Sequence, residues 1–191
     1  MTPGEGRSLD GGCDDRLLER AQGGDATAFG VLVQRHQQAS LRLAYSIAGP
    51  EGEDAVQEAF VKAFLHLDRF RRGEPLRPWL LRIVANEARN RRRAAGRRHG
   101  LVLRLAESAS ADDTAASPED AAVDRERRVL LAAAVADLPE RDRAVIACRW
   151  FVGLSEAETA LVLHCRPGTV KSRLSRATGR LRDALPDEVR R

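Results

Sequence analysis

Apolar positions recur every three or four residues over most of the chain, and no stretch alternates at the two-residue period of a strand. The first helical region runs from about Asp14 to Ile47. Leu17, Leu18 and Ala21 open its stripe, Phe29, Leu32 and Val33 resume it, and Leu43 and Ile47 close it. The Gly-Gly-Asp at Gly23 to Asp25 divides this region, and the turn-forming AGPEG at Ala48 to Gly52 ends it. A second helix is predicted over about Glu53 to Leu67, followed by a basic loop containing RFRRGEPLRP. A third starts near Pro78, because proline's fixed φ suits a first helical turn. It continues through a dense arginine run to about Arg98.

From Leu105 to Asp124 the periodicity stops. That segment is rich in Ala, Ser and Asp and contains six acids but no Lys or Arg. It has too little apolar surface to offset the entropy of ordering, so it predicts a flexible acidic linker. Helical patterning resumes near Arg125 and continues almost to the end. The expected fold is all-α, with two small helical domains joined by this linker. The expected boundaries are a disordered N-terminus at 1–13, a domain at 14–98, the linker at 99–126 and a helix-turn-helix domain at 127–187.

The helix-turn-helix is read from several signals in order. Gly153 ends one helix, and Ser155 with Glu158 has the spacing of a capping box that starts a short second one. Ala160 is small where another helix must cross, the turn falls at about Leu163 to Arg166, and Pro167 opens the next helix. On it Val170, Leu174, Ala177, Leu181 and Leu185 form a buried stripe. Lys171, Ser172, Arg173, Ser175, Arg176 and Arg180 are left on the other sides. Such a helix can enter a major groove with its first turn nearest the base edges. Its cations then pair with phosphates and guanine edges. A solvated helical hairpin would share the charges but has no need of the whole ordered set.

The helix EDAVQEAFVKAFLHL has two faces. Val56, Phe60, Ala63 and Leu67 gather on one side, while Asp54, Gln57 and Glu58 lie on the other with Val61 and Leu65. An acidic, amide-bearing face with aliphatics suits protein docking. Periodicity leaves a second reading open, in which Val61 and Leu65 meet a neighbouring helix and the polar residues are only solvated. Further on, Phe70, Arg71, Arg72 and Trp79 precede Arg82, Asn86, Arg89, Asn90, Arg93 and Arg97, most of them at helical steps. Aromatic rings beside a cationic track suit unstacked single strands, since rings stack on bases and cations follow phosphates. Trp79 by itself reads first as a core residue.

Composition narrows the class. Aromatics are 4% of residues, which favours Ala/Leu/Val-packed helices over a sheet, and the net charge of +4 suits an anionic partner. Cys13, Cys148 and Cys165 are far apart without a Cys-x-x-Cys pair, so reduced thiols are expected. His164 beside Cys165 lacks a second ligand pair, so neither metal nor cofactor is expected. The run VLLAAAVA is too short to cross a bilayer, and the polar, Gly-rich N-terminus is no signal peptide, so a cytoplasmic chain without membrane insertion is expected. No paired carboxylates, phosphate-binding loop or nucleophile–base pair is evident, so no enzyme is expected.

At this point the chain resembles an extracytoplasmic-function (ECF) RNA polymerase sigma factor over about Asp14 to Leu185. In the first domain the resemblance rests on EDAVQEAFVKAF and FRRGEPLRPWLLRIVANEARN. In the second it rests on LPERDRAVIACRWFVGLSEAETALVL and GTVKSRLSRATGRLRDAL. It implies a transcription initiation factor that binds core RNA polymerase at the β′ clamp helices and the β flap. Asp54, Gln57, Glu58, Val61 and Leu65 would dock on the clamp helices. Phe70, Arg71, Trp79, Arg82, Asn86, Arg89, Asn90 and Arg93 would melt and hold the −10 element as a single strand. Arg166, Thr169, Lys171, Ser172, Arg173 and Arg176 would read the duplex −35 element. The resemblance also implies an anti-sigma factor as regulator, a linker threaded towards the RNA exit channel, and none of the extra domains of larger sigma factors. Two departures stand out. His164 occupies a turn position where relatives often have Gly, and Arg166 stands where a Ser-like N-cap is common. The alternative from residues alone is a stand-alone helix-turn-helix repressor or activator, which would bind duplex DNA as a dimer without polymerase.

Overall fold

A computed structural model describes residues 11–71, 73–95 and 129–186. The expected acidic linker, with Arg97 and Arg72, lies outside these residues. Helix α1 spans Gly11–Gln22 and α2 spans Ala26–Ala48. The break between them is local chemistry. Gly24 adopts φ +94, and the Asp25 carboxylate caps α2 by accepting from the Ala28 N–H at 3.0 Å. The same carboxylate accepts from Arg20, so one side chain joins both helix ends. The Ala28 hydrogen bond, followed by the Arg20 one, holds the Asp25 carboxyl below its usual range.

Because α1 begins at Gly11, the expected disordered N-terminus is too long by the residues from Gly11 to Cys13. The helix is held by a polar anchor that its own periodicity does not reveal. Asp14 is buried, accepts from Arg35 Nη1 at 2.8 Å and lies 2.9 Å from His36 Nε2. Beneath that anchor Leu18 and Ala21 pack with Leu32, Leu67, Phe70 and Leu76.

Helix α3 spans Gly52–Leu65 and α4 spans Leu76–Ala95, so α4 starts two residues before the proline that predicts it. Pro78 therefore sits within the first turn, where its missing N–H has no intrahelical partner to lose. The α2–α3–α4 bundle closes over Leu43, Ala44, Ile47, Ala55, Val56, Ala59, Phe60, Ala63, Leu81, Val84, Ala85 and Ala88, all buried. Gly49, at φ 61, turns the chain between α2 and α3, and its N–H bonds to Tyr45 O.

The second domain starts with α5, helical over 129–137, and α6, which spans Glu140–Ile146 and opens into a π-type turn over Ala147–Phe151. Helix α7 spans Glu156–Leu163 and α8 spans Pro167–Ala184. Among the described residues there is no strand, and no helix is long and apolar enough to cross a membrane.

The described parts of the two domains pack against each other. The buried cluster of the bundle continues into Ala144, Val145, Ala147, Cys148, Val152, Leu154, Ala160, Val162, Leu163 and Val170. Cys148 is fully buried there, and burial pushes its thiol up to about 12. Arginines stitch the seam. Arg143 donates to the carbonyl of Ser46, Arg42 to Phe151 O at 3.2 Å, and Arg77 to Val152 O at 2.6 Å. The last two carbonyls sit at the end of the π-type turn, where helical partners run out.

Gly52 marks the closest approach within the first domain. A Cβ built there meets the Tyr45 ring at 2.7 Å and the Tyr45 N at 2.8 Å, although Gly52 has an ordinary helical φ of −63. The constraint is space. Gly52→Ala is expected to destabilise the chain by about 1–3 kcal/mol, measured as a lowered denaturant midpoint with an unchanged slope.

Candidate nucleic-acid interface

Helices α7 and α8 form the helix-turn-helix. The capping box is complete: Glu158 Oε2 accepts from the Ser155 N–H at 2.7 Å, and Ser155 Oγ accepts from the Glu158 N–H at 3.2 Å. At the turn His164 takes the left-handed conformation, φ 51 and ψ 53, and its N–H bonds to Ala160 O. The turn thus keeps the geometry for which glycine is preferred, with histidine carrying the steric cost. Arg166 is the N-cap residue of α8 and makes no side-chain capping bond. Both departures noted in the sequence are therefore local weaknesses at the junction that aims α8.

The stripe of α8 is buried as its spacing predicts. Val170, Ala177 and Leu181 are in the core, while Leu174 and Leu185 are half-buried. Arg166, Lys171, Ser172 and Arg176 are exposed, and Thr169 and Arg173 are half-buried, so all six expected contacts lie along one open side or its border. Ser172 Oγ donates to Thr169 O at 3.1 Å, leaving its lone pairs outward as acceptors. Arg180 differs from the rest. It pairs with the buried Asp142 of α6 and fastens α8 to its own domain.

The arginine run of α4 divides by destination. Arg82 is half-buried, and Asn86, Asn90 and Arg93 are exposed. Arg89 keeps only 22% of its side-chain surface, donates to Asn86 Oδ1 at 3.3 Å and lies 3.7 Å from Glu140 of α6. Burial lowers its pKa, Glu140 and Cys148 act against that, and the nearby charges of Arg93 and Arg173 lower it further. Arg92 pairs with Glu140 at 2.9 Å. Arg91 turns the other way and bridges Asp54 at 2.8 Å and Glu58 at 3.2 Å.

Phe70 differs from expectation. It is 4% exposed, and its ring meets Trp79 edge-on with centroids 5.1 Å apart. The Phe70 ring is core, held because Gln22 Nε2 donates to the carbonyls of Leu67 and Phe70. It therefore supports Trp79 from beneath and offers no face to a base in this arrangement. Trp79 is half-buried against both apolar clusters of the first domain, and Arg71 is exposed.

On α3 the face is open. Asp54 and Gln57 are exposed, and Val61 and Leu65 retain 59% and 66% of their surface. Among the described residues no helix covers these two aliphatics, which favours the open face over burial against a neighbour. Phe64, 41% exposed with its ring 5.0 Å from Phe29, widens the patch and was missed by sequence reasoning. Its position three residues after Val61 is the signal that could have found it. Glu58 is held below its usual range by the Arg91 hydrogen bond first and the Lys62 charge second. Lys62 is raised, chiefly by its 2.6 Å bond to Glu87. The Asp54 and Glu58 carboxylates are thus set in position by Arg91 of α4.

The Sigma-70 region 2 family matches residues 32–98, and the Sigma-70 region 4 family matches residues 128–181. The chain is 38% identical over 184 residues to the ECF RNA polymerase sigma-E factor of Escherichia coli (strain K12), covering 92% of this chain and 94% of that protein. It is 36% identical over 185 residues to the RNA polymerase sigma-H factor of Pseudomonas aeruginosa, covering 93% and 96%. Among solved structures it is similar to CnrH in complex with the cytosolic domain of CnrY, with TM-score 0.66, 31% identity and coverage of 89% and 95%. It is also similar to the sigma factor RpoE of Bartonella quintana in complex with the anti-sigma factor NepR, with TM-score 0.60, 26% identity and coverage of 82% and 95%.

The junction before α8 can be tested by stability alone. Arg166→Ser supplies the missing cap and is expected to stabilise the chain by about 1 kcal/mol. His164→Gly relieves the left-handed strain and is expected to stabilise it by a similar amount, about 1 kcal/mol. Thermal unfolding of the two variants beside the parent chain checks both.

Proposed function

The chain belongs to the ECF sigma factors of RNA polymerase, and from that premise we propose how its surfaces divide the work. As a member of this family it is a transcription initiation factor and not an enzyme: it binds core RNA polymerase and directs it to promoters, and the polymerase supplies the chemistry. The observation that carries the assignment of surfaces is a pair of exposed faces of opposite character. One is acidic and apolar on α3, and the other is basic on α8.

Asp54, Gln57, Glu58, Val61 and Leu65, widened by Phe64, dock on the β′ clamp helices. The aliphatics and Phe64 provide the desolvated centre, and the carboxylates, prealigned by Arg91, form the charged rim. The C-terminal domain meets the β flap. Lys171, Arg173 and Arg176 carry phosphate and guanine contacts at the −35 element, with Arg166, Thr169 and Ser172 near the leading turn of α8.

At the −10 element, Trp79, Arg82, Asn86, Arg89, Asn90 and Arg93 track the non-template strand, and Arg71 contacts its backbone. A·T-rich steps cost least to unstack, so a surface that captures an extruded base melts them first. Phe70 acts through Trp79, whose ring it holds edge-on. An anti-sigma factor is the regulator, as the complexes of similar sigma factors suggest. The protein works in the cytoplasm, where its polymerase is.

Run-off transcription with core polymerase, from the promoter upstream of the protein's own gene, tests this reading. Transcripts are expected to require the protein. Changing Val61, Phe64 and Leu65 together to Ala is expected to lower transcript yield at limiting core by at least about tenfold, since residues at an interface centre carry most of its energy. Tight binding to a duplex palindrome without polymerase, and no transcript with it, would restore the repressor reading. Arg176→Ala is expected to weaken duplex binding by the holoenzyme and reduce the slope of log affinity against log salt by about 1.

A further inference from the structure

We propose that Asp142 and Arg180 set the angle at which α8 presents its contacts, which makes this pair a positioning device for sequence discrimination at the −35 element. This rests on the assignment of α8 to that element made above.

Arg180 falls in line with residues assigned to DNA. Thr169, Arg173, Arg176 and Arg180 follow one another at steps of four, three and four, so they form one row along α8. Three of the four are expected contacts. The fourth is tied to α6: Arg180 Nη1 donates to Asp142 Oδ2 at 2.5 Å. Asp142 keeps only 8% of its side-chain surface, and its own N–H donates to Pro139 O at 2.9 Å, so the acceptor stands on a fixed base. Thr169 and Arg173 are half-buried and Arg176 is exposed, which leaves the rest of the row at the open side or its border. A hydrogen-bonded helix turns as one body, so the angular position of Arg180 sets that of the others.

The other holds on α8 are less directional. Ala177 and Leu181 pack with Val135, Leu138 and Ile146, which fixes how deep the helix lies. Apolar burial has no preferred direction, and Ala177 offers a single carbon to resist rotation. The leading end is weak as well, because His164 is left-handed and Arg166 makes no side-chain cap. A hydrogen-bonded ion pair is directional, and setting register is the best-attested use of a buried one. The geometry decides which property depends on it. An atom about 6 Å from the helix axis moves about 2 Å for each 20° of rotation. Hydrogen bonds to base edges hold only over about 2.7–3.2 Å, so a turn of that size breaks them. Attraction to phosphates decays over about 8 Å at physiological salt and survives it. Loss of the pair therefore costs discrimination before it costs non-specific affinity.

Binding of two duplexes by the full chain at saturating core polymerase tests this, below the unfolding transition of every variant. One duplex carries the region upstream of the protein's own gene, and the other carries that region with its upstream half shuffled. The parent is expected to prefer the first. Arg180→Ala is expected to cut that preference about tenfold, roughly the value of one base contact, with little change on the shuffled duplex. Asp142→Ala should do the same, although Asp142 is buried and cannot touch DNA. The double variant no longer leaves a buried charge unpaired, so it should melt higher than Arg180→Ala while its preference stays low. Arg180→Lys keeps a cation beside Asp142 and should retain most of the preference. The slope of log affinity against log salt should stay at the parental value throughout. Undiminished preference in either single variant overturns the positioning role, and Arg180→Ala decides alone if Asp142→Ala does not fold. Preference regained together with stability in the double variant overturns it too. A salt slope reduced by about 1 in Arg180→Ala but not in Asp142→Ala would make Arg180 a phosphate contact instead. A parent that prefers neither duplex sinks the −35 assignment itself, and the positioning role with it.

Discussion

Alanine-on-alanine packing is the constraint on which the other features depend. Ala44, Ala55, Ala59, Ala63, Ala85 and Ala88 are fully buried where α2, α3 and α4 meet, and Ala147 and Ala177 play the same part in the second domain. With a single carbon on each of these residues, helices can pack closely, and little slack remains for rotation about their axes. Whatever stands on the outer faces is aimed by that inner fit. The same tightness explains why Gly52 has no room for a Cβ against Tyr45.

Basic charge in this chain has two uses that composition merges into one number. Lys171, Arg176 and Arg93 stand exposed on the faces assigned to DNA. Arg42, Arg77, Arg92, Arg143 and Arg149 instead donate to carbonyls of the chain itself. The guanidinium suits this second use, because it offers five donors in a planar fork and is less strongly hydrated than an ammonium. Carbonyls at the end of the π-type turn and near the end of α2 need donors, and arginine stems reach them across the seam. Arg91 serves a third purpose by fastening Asp54 and Glu58, two carboxylates of the face proposed to dock on polymerase.

Much of the architecture was legible because it is written within a few residues. The break at Gly23 to Asp25, the Ser155–Glu158 capping box, the turn before Pro167 and the stripe of α8 each depend on φ preferences, capping or helical period, all of which act over a turn or two. The two-sidedness of α3 was legible for the same reason, since spacing places Val61 and Leu65 opposite Val56 and Phe60, although it left open whether another helix covers them. Sequence missed Phe64, which shares that exposed border, and took Phe70 for a ring open to bases. Burial of Phe70 depends on α1 closing over it, and α1 is itself held by Asp14 against Arg35 and His36. No short-range pattern encodes that contact.

The sequence by itself determined the helical class, most of the breaks between helices, the two family domains and the residue types available at their surfaces, because each follows from local period, capping and charge. Only the tertiary structure decided which arginines face outward, that Phe70 supports Trp79 from the core, and that the two domains share one apolar floor with Glu140 at its edge. These outcomes turn on side chains from distant segments meeting across a tight seam, and a guanidinium has the same letter in the sequence whether it meets a phosphate, a carboxylate or a carbonyl.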